Sequence, residues 1–392
     1  MLNTGLAPWP VFAPDEVEAV ARVLRDGRVN YWTGEEGREF EQEFAAWAGS
    51  NHAVALANGT VALDLALNAL GIASGDEVIV TPRTFIASVS CVVNRGAVPV
   101  FADVDPDSGN ISAETVERVL TPRTRAILCV HLAGWPCGME DLNALAATHD
   151  LAVIEDCAQA HGARHRGRSV GTWGKVAAWS FCQDKIITTG GEGGMVTTDD
   201  RDLWSAMWAY KDHGKSWEAI YDRDHGPGFR WVHDSFGTNW RMLEIQAAIG
   251  RIQLRRLPEW TARRTCNAMA IRDVALRHPA VIRAPVPDSR DTHAYYRFYA
   301  YVRPEGLKNG WSRDRIIHEL GTLGAPAYQG SCSEVYLEKA FEGTGWIPDR
   351  RLPVAKELGE NSLMFLTHPS LSDEDMTLVC GALDRVLGDA RR

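Results

Sequence analysis

The chain has no apolar run near the roughly 20 residues that a membrane-spanning helix needs. Its first residues, MLNTGLAPWPVFAPDE, lack the charged start and apolar middle of a secretory signal, so a cytoplasmic protein is expected. It has no block of lysine and arginine either. A formal net charge of −10, with the basic residues not gathered into blocks, argues against a nucleic-acid binder, although a few arginines in a cleft suffice for a small anionic substrate. No C-x-x-C pair occurs. The eight cysteines are scattered, several of them inside apolar runs, which fits buried reduced thiols better than disulfides or a metal site. Low-complexity runs and internal repeats are also missing, which excludes disordered and solenoid classes. What remains is globular material: 392 residues, 45% hydrophobic, can bury a large core and form one large domain plus a smaller one.

Val17, Val20, Val23 and Leu24, behind Pro14-Asp15, predict a helix over 15–26. The aromatic, glycine-bearing VNYWTGEEG (29–37) follows, then a helix over 38–48. From His52 strands and helices alternate: HAVALAN, a helix over 60–70, EVIVTP, a helix over 85–94, AVPVFADV, a helix over 112–120. AILCVHLAG, a helix over 139–149, LAVIEDCA, AAWSFC and GMVTTDD continue the pattern. Near-continuous apolar strands separated by helices predict an α/β fold, a mainly parallel central sheet with helices on both faces. Ligands of such sheets gather at the carboxyl ends of the strands, so the chemistry is expected where each strand run stops. The alternation fades near Asp200. Residues 211–240, polar and aromatic with HGPG, read as one long loop, a kind that is often functional in compact domains. Residues 242–257 read as an amphipathic helix ended by Pro258, and the remainder, with strand-like YRFYAYV, as an α+β domain. The expected division is a large domain over 1–254, with an N-terminal arm able to pack on either part, and a small domain over 255–392.

One stretch organises these parts. Trp179–Thr198, WSFCQDKIITTGGEGGMVTT, sets Lys185 between an apolar strand and a glycine-rich turn. An amine in that place is partly desolvated, which lowers its pKa and frees its lone pair to attack a carbonyl. Taken alone, the lysine reads more readily as an ordinary surface residue at a strand end, so its neighbours have to decide. Ala57-Asn58-Gly59-Thr60 closes one strand and opens a helix, where backbone amides and the Thr60 hydroxyl can hold a phosphate; a cap by Thr60 is the competing reading. Glu155 and Asp156 end a buried strand, so at least one of them should have a cationic partner, and Asp156 can alternatively cap a helix. Gln159 and His161 follow at the same edge. Phe85 can present its ring to a planar ligand, although packing is the commoner fate of phenylalanine, and Ser180 can reach the same phosphate as Thr60. His131 and His213 read as structural histidines. A lysine able to form a Schiff base, an aspartate for a pyridine nitrogen, phosphate donors at a helix start and an aromatic ring are together what pyridoxal phosphate requires.

These residues lie in six ordered motifs, NGTVAL, TFIAS, EDCAQAHGA, SFCQDK…GEGG, KDHGK and NWRMLEIQAAIG. Together they resemble the DegT/DnrJ/StrS family of pyridoxal-phosphate sugar aminotransferases over essentially the whole chain. The resemblance implies the fold type I aminotransferase architecture and a homodimer with active sites at the subunit interface. By position, Lys185 resembles the Schiff-base lysine, Asp156 the partner of the pyridine nitrogen, Gln159 the contact to the ring oxygen and Phe85 the ring stacked on the pyridine face. Gly59, Thr60, Val61 and Ser180 resemble the phosphate site, and Asn239 the asparagine that completes it from the neighbouring subunit. Thr33 and Gly34 correspond to a loop lining the sugar pocket, with His161 as a further substrate contact.

The implied reaction moves an amino group from L-glutamate, through pyridoxamine phosphate, to a nucleotide-linked 3- or 4-keto-sugar in amino-sugar biosynthesis. A keto-cyclitol acceptor, a dehydratase using the same cofactor and a non-catalytic regulator of the same fold are the alternatives. One dehydratase group carries histidine in place of the lysine, and Lys185 argues against it. Loops 29–37, 211–240 and 325–336 are expected to select the nucleotide and sugar. Many relatives carry an aromatic residue or proline between Phe181 and Lys185, where this chain has Cys182-Gln183-Asp184. Neighbours in an extended segment point opposite ways, so Asp184 is expected to have little effect on Lys185. Trp173, Trp179, Trp217, Trp231 and Trp240 are expected mostly to pack.

Overall fold

A computed structural model describes residues 5–392. Helices α1 (Pro14–Asp26) and α2 (Glu36–Ala48) precede β1 (His52–Leu56), α3 (Gly59–Ala69), β2 (Glu77–Val80), α4 (Ala87–Asn94), β3 (Val98–Phe101) and α5 (Ala113–Glu117). Then come β4 (Thr124–Val130), α6 (Met139–Thr148), β5 (Ala152–Asp156) and a short hairpin, β6 (Arg164–His165) with β7 (Arg168–Ser169). The first half closes with β8 (Val176–Ser180) and β9 (Gly194–Thr198).

These strands form a seven-stranded sheet in the order β1-β9-β8-β5-β4-β2-β3. Its pairings are parallel from β8 through β5, β4 and β2 to β3, and β9 alone runs antiparallel to both its neighbours. The architecture is the expected α/β one. EVIV of β2 and VAAWS of β8 are buried along their whole length, the pattern of strands covered on both faces. Successive residues feed opposite cores. Val54 and Leu56 pack with Leu65 and Ala66 of α3, while Ala53 and Ala55 pack with Phe40 and Phe44 of α2.

The second half contains α7 (Arg201–Tyr210), α8 (Trp217–Tyr221), α9 (Glu244–Arg277), β10 (Ile282–Arg283), β11 (Arg297–Val302), α10 (Arg313–Thr322), α11 (Pro353–Asn361), β12 (Ser362–Leu366) and α12 (Asp373–Ala390). β10, β11 and β12 make a separate antiparallel sheet. Three features differ from the sequence expectation. Helix α7, capped by the Asp200 carboxylate accepting from the amides of Asp202 and Leu203, begins where the alternation fades. Helix α8, capped by Ser216, interrupts the long loop. Helix α9 runs on through Pro258. A proline inside a helix costs about 3 kcal/mol, and burial on both sides of it offsets that: Leu254 and Leu257 join the core of Phe44 and Trp179, while Ala268, Ile271 and Val274 join the core under the second sheet. The expected boundary at 254/255 falls inside α9, so we propose a division into two cores that share this helix.

The N-terminal arm packs near this helix, with Trp9 edge-on to Trp260 and stacked on His368. Trp179 is buried, and Trp173, Trp217 and Trp240 pack against cores, whereas Trp231 is exposed. All eight cysteines are free, and Cys266 and Cys332 are exposed rather than buried. Among the described residues no helix is long and apolar enough to cross a membrane.

Candidate active site

The carboxyl ends of β1, β5 and β8 open onto a cavity of about 740 Å³. At the first of these, Asn58 is the cap of α3, its side chain accepting from the Val61 amide at 3.0 Å. Thr60 therefore has no capping duty, and it is exposed at the cavity. Gly59 lies against the end of β8: a Cβ there would stand 2.6 Å from the Ser180 Cβ, so glycine is what lets the helix start approach Ser180. The first amides of a helix have no carbonyl one turn behind them, and the helix dipole adds positive potential, which together make an anion cradle beside the Ser180 hydroxyl.

β5 delivers two carboxylates to opposite sides. Glu155 accepts from the amides of Gly171, Trp173 and Gly174 at 2.7, 2.8 and 2.7 Å, and lies 3.0 Å from His131 Nε2. His131 Nδ1 accepts from the Cys137 amide, so its Nε2–H donates to Glu155 and a neutral imidazole stands where a cationic partner was expected. Asp156 faces the cavity, its Oδ2 accepting from Ser88 Oγ at 2.8 Å and its Oδ1 from the Ala158 amide at 3.0 Å. Burial holds its carboxyl above the usual range, and these two donors and the Lys185 charge offset that only in part. Gln159 Oε1 accepts from the Ala133 amide at 2.7 Å, and Phe85, 68% exposed, also lines the cavity.

Lys185 follows β8 in a turn closed by its own amide donating to the Cys182 carbonyl at 3.0 Å. Gly190 and Gly191, with φ of 86° and 126°, let the chain double back. Two expectations are corrected here. Because the segment is a turn and not an extended strand, Asp184 and Lys185 do meet, with Oδ1 3.8 Å from Nζ. Nor is the amine shifted down. Burial favours its neutral form, but the fields of Tyr296, Asp184 and Asp156 outweigh burial and raise its pKa. Asp184 moves the other way: burial raises its carboxyl, and Lys185, the Tyr296 hydroxyl and Arg297 together bring it below the usual range. The backbone of Lys185 is fixed from the N-terminal arm, where Trp9 Nε1 donates to its carbonyl at 2.9 Å.

Thus Lys185, Asp156, Gln159, Phe85, Ser180, Gly59, Thr60 and Val61 share one cavity. Four predicted residues do not line it. His161 is wholly buried against Phe44, Trp179 and Phe181, and burial pushes its pKa down to about 3. That burial removes the substrate contact expected of it. Asn239 is exposed, with its backbone bridged to Asp212. Thr33 and Gly34 sit in a loop tied to the start of α9, where Glu244 accepts from the amides of Glu36 and Gly37. Sequence reasoning missed Ser88, Trp9 and the pair Tyr296-Arg297, which lines the cavity from β11 and the residue before it. Ser88 lies within the TFIAS motif, and Tyr296-Arg297 is a polar pair opening an otherwise apolar strand.

Residues 11–384 match the DegT/DnrJ/EryC1/StrS aminotransferase family. The chain is 33% identical over 383 residues, 97% of its own length and 99% of the other's, to the GDP-perosamine synthase of Escherichia coli O157:H7. It is 37% identical to the dTDP-3-amino-3,4,6-trideoxy-alpha-D-glucose transaminase of Streptomyces venezuelae, over 90% of this chain and 87% of that one. Among solved structures, the aminotransferase from Psychrobacter cryohalolentis superposes with a TM-score of 0.97 at 59% identity, covering 98% of this chain and 99% of that one.

Proposed function

The chain belongs to the DegT/DnrJ/EryC1/StrS aminotransferase family, and from that premise we propose that it carries an amino group from L-glutamate to a nucleotide-linked 3- or 4-keto-sugar, with pyridoxal phosphate held in the cavity that Lys185 faces. It is a sugar aminotransferase of amino-sugar biosynthesis with the fold of pyridoxal-phosphate-dependent aminotransferases. The two curated relatives are named for amino sugars on GDP and dTDP, which supports a nucleotide-linked acceptor.

One observation carries the reading: the Lys185 amine and the buried Asp156 carboxylate share a cavity with a glycine-bounded helix start. The residues fit the cofactor. Gly59, Thr60 and Val61, with Ser180, would hold its phosphate; Phe85 and Gln159 would flank its ring. Asp156 keeps acceptor capacity for a cationic ring nitrogen, a partner that would reverse the shift caused by its burial. When bound, the cofactor supplies an electron sink for the carbon that loses its proton. Lys185 would anchor it, and its Nζ is placed to take a proton from the donor and return one to the acceptor. Ser88 and Ala158 fix the direction in which Asp156 points.

A homodimer completes this proposal. Asn239 is exposed, and the 211–240 segment also exposes Phe229, Trp231 and Phe236 at 75, 78 and 99%, an apolar surface suited to a second copy. Asn239 would then serve the neighbouring site, and Thr33 and Gly34 would line the sugar pocket. Replacing Lys185 with Ala is expected to abolish cofactor-linked absorbance and turnover together. A glutamate-dependent screen over 3-keto and 4-keto nucleotide sugars tests the substrate, and a Lys185→Ala protein with full turnover would sink the reading.

A further inference from the structure

The run Cys182-Gln183-Asp184, which the family resemblance leaves without a role, meets two side chains from far along the chain. The Tyr296 hydroxyl donates to Asp184 Oδ2, and Arg297 Nη2 stands 3.6 Å from the same oxygen. Asp184 Oδ1 is 3.8 Å from Lys185 Nζ, so a single carboxylate joins Arg297 to the reactive amine. The Arg297 side chain is only 12% exposed, with its guanidinium 4.1 Å from the centre of the Tyr296 ring and its Nη1 donating to the Tyr296 carbonyl at 2.9 Å. At 3.6 Å the Asp184 contact is an ion pair without a hydrogen bond, so the fork keeps N–H donors to offer to the cavity.

Among the described residues lining the cavity, Lys185 and Arg297 are the cations. Their tasks differ. In the aminotransferase reading, on which this inference rests, Lys185 moves a proton. An amino-acid donor brings a carboxylate bonded directly to the carbon that loses that proton, so its anion site must lie within a few ångströms of Nζ. Arg297, separated from Nζ by the single Asp184 carboxylate, is the other cation lining the cavity among the described residues, and a planar fork with unfilled donors is the partner that carboxylates bind in a bidentate manner. The diphosphate of a nucleotide sugar is held off from the reacting keto carbon by the atoms of the sugar ring, and so belongs farther from Nζ.

We propose that Arg297, positioned by Tyr296 and Asp184, is the subsite for the α-carboxylate of the amino donor, and that Asp184 is the resident anion facing it between donors. Asp184 accounts for two things at once: it keeps the arginine aimed at Lys185, and its like charge keeps donor binding reversible.

Calorimetric titration of the holoenzyme with glutarate, a dicarboxylate without an amino group, measures the subsite apart from turnover. Arg297→Gln is expected to weaken glutarate by roughly 10- to 100-fold, the scale of a lost charge-assisted pair, and Asp184→Asn to tighten it. GDP and dTDP affinities are expected to be unchanged in Arg297→Gln. Glutarate affinity equal to wild type in Arg297→Gln, no glutarate binding by the wild-type enzyme, or loss of GDP and dTDP binding with glutarate retained would each overturn the assignment. Should Arg297→Gln not fold, Arg297→Lys carries the test: loss of glutarate affinity supports the subsite, and wild-type affinity rejects it. The underlying reading fails separately. A wild-type enzyme that converts L-glutamate to 2-oxoglutarate while Arg297→Gln binds glutarate normally rejects only the subsite, whereas a wild-type enzyme inert toward every amino donor rejects the aminotransferase.

Discussion

Lys185 is half-buried and Lys211 wholly buried, and their pKa values are shifted in opposite directions. Lys185 lies at a cleft edged by Asp156, Asp184 and Tyr296, whose fields outweigh burial and raise its pKa. Lys211 Nζ sits 3.6 Å from the centre of the Tyr31 ring and 4.9 Å from that of Trp208, with no hydrogen-bond partner among the described residues. Burial pulls its pKa down to about 8, and Glu41 and Asp212, the latter 3.9 Å away, recover only part of the loss. Burial alone therefore does not set the charge of an amine. Carboxylates at a cleft rim raise one amine, while burial among aromatic walls, which attract a cation but accept no proper hydrogen bond, lowers the other to about 8, still mostly protonated at pH 7.

Removing each amine separates chemistry from architecture. Lys185→Ala is expected to have the largest effect, loss of all turnover, with little change in the urea midpoint because the side chain lines a cavity. Lys211→Met is expected to act on stability. Glu41 is buried, accepts from the Tyr31 hydroxyl at 2.9 Å and the Ala55 amide at 2.8 Å, and would lose its nearby cation. Losing the cation whose field offsets a buried carboxylate should lower the urea midpoint, and adding Glu41→Gln should recover most of the loss. A Lys211→Met protein with the wild-type midpoint would dissolve the contrast.

The two lysines also mark what could be read in the sequence. Around Lys185, polar residues terminate apolar strands, and in an α/β sheet strand termini converge; Gly59, Asp156 and Ser180 come together for that reason. Tyr296, Arg297 and Trp9 reach the same place by packing across the two cores, and no local pattern announces a contact between residues so far apart in the chain. The parity argument fails for Asp184 because its segment is a turn and not an extended strand. Pro258 was misread because the local rule for proline omits two cores packed on one helix. His161 shares an edge with Asp156 in sequence, but after β5 ends the chain turns it behind the sheet, into the aromatic core.

Asp184→Asn sharpens the comparison with a smaller effect. It removes one of the fields that raise Lys185, so the amine should lose its proton at lower pH. The pH dependence of amine-selective labelling at Lys185 in cofactor-free protein measures this. Tyr296→Phe should shift it the same way, since the phenol is the leading raising influence, while the titration of Lys211 should stay in place. A Lys185 profile unmoved in both variants would mean that the cleft rim does not set its charge.

The smallest effect concerns a third buried base. The imidazole of His161 packs between Phe44, Trp179 and Phe181, and neither ring nitrogen has a hydrogen-bond partner among the described residues. Burial first, then the charges of Lys185 and Arg264, hold its pKa near 3 in the fold, against about 6.5 when unfolded. At pH 7 both states are neutral there and nothing is lost. As pH falls below about 6.5 the unfolded chain takes up the proton and the folded one does not, so stability drops by about 1.4 kcal/mol per pH unit until pH approaches 3. His161→Phe keeps the aromatic packing and forfeits no hydrogen bond, so it should leave the urea midpoint at pH 7 nearly unchanged and make its decline between pH 6 and 4 shallower by about that slope. His293 and His368, also held near 3, would supply the slope that remains. If the variant's midpoint fell with pH as steeply as the wild type's, the imidazole would have to be finding a proton in the fold, and burial among the three rings would not be holding it neutral.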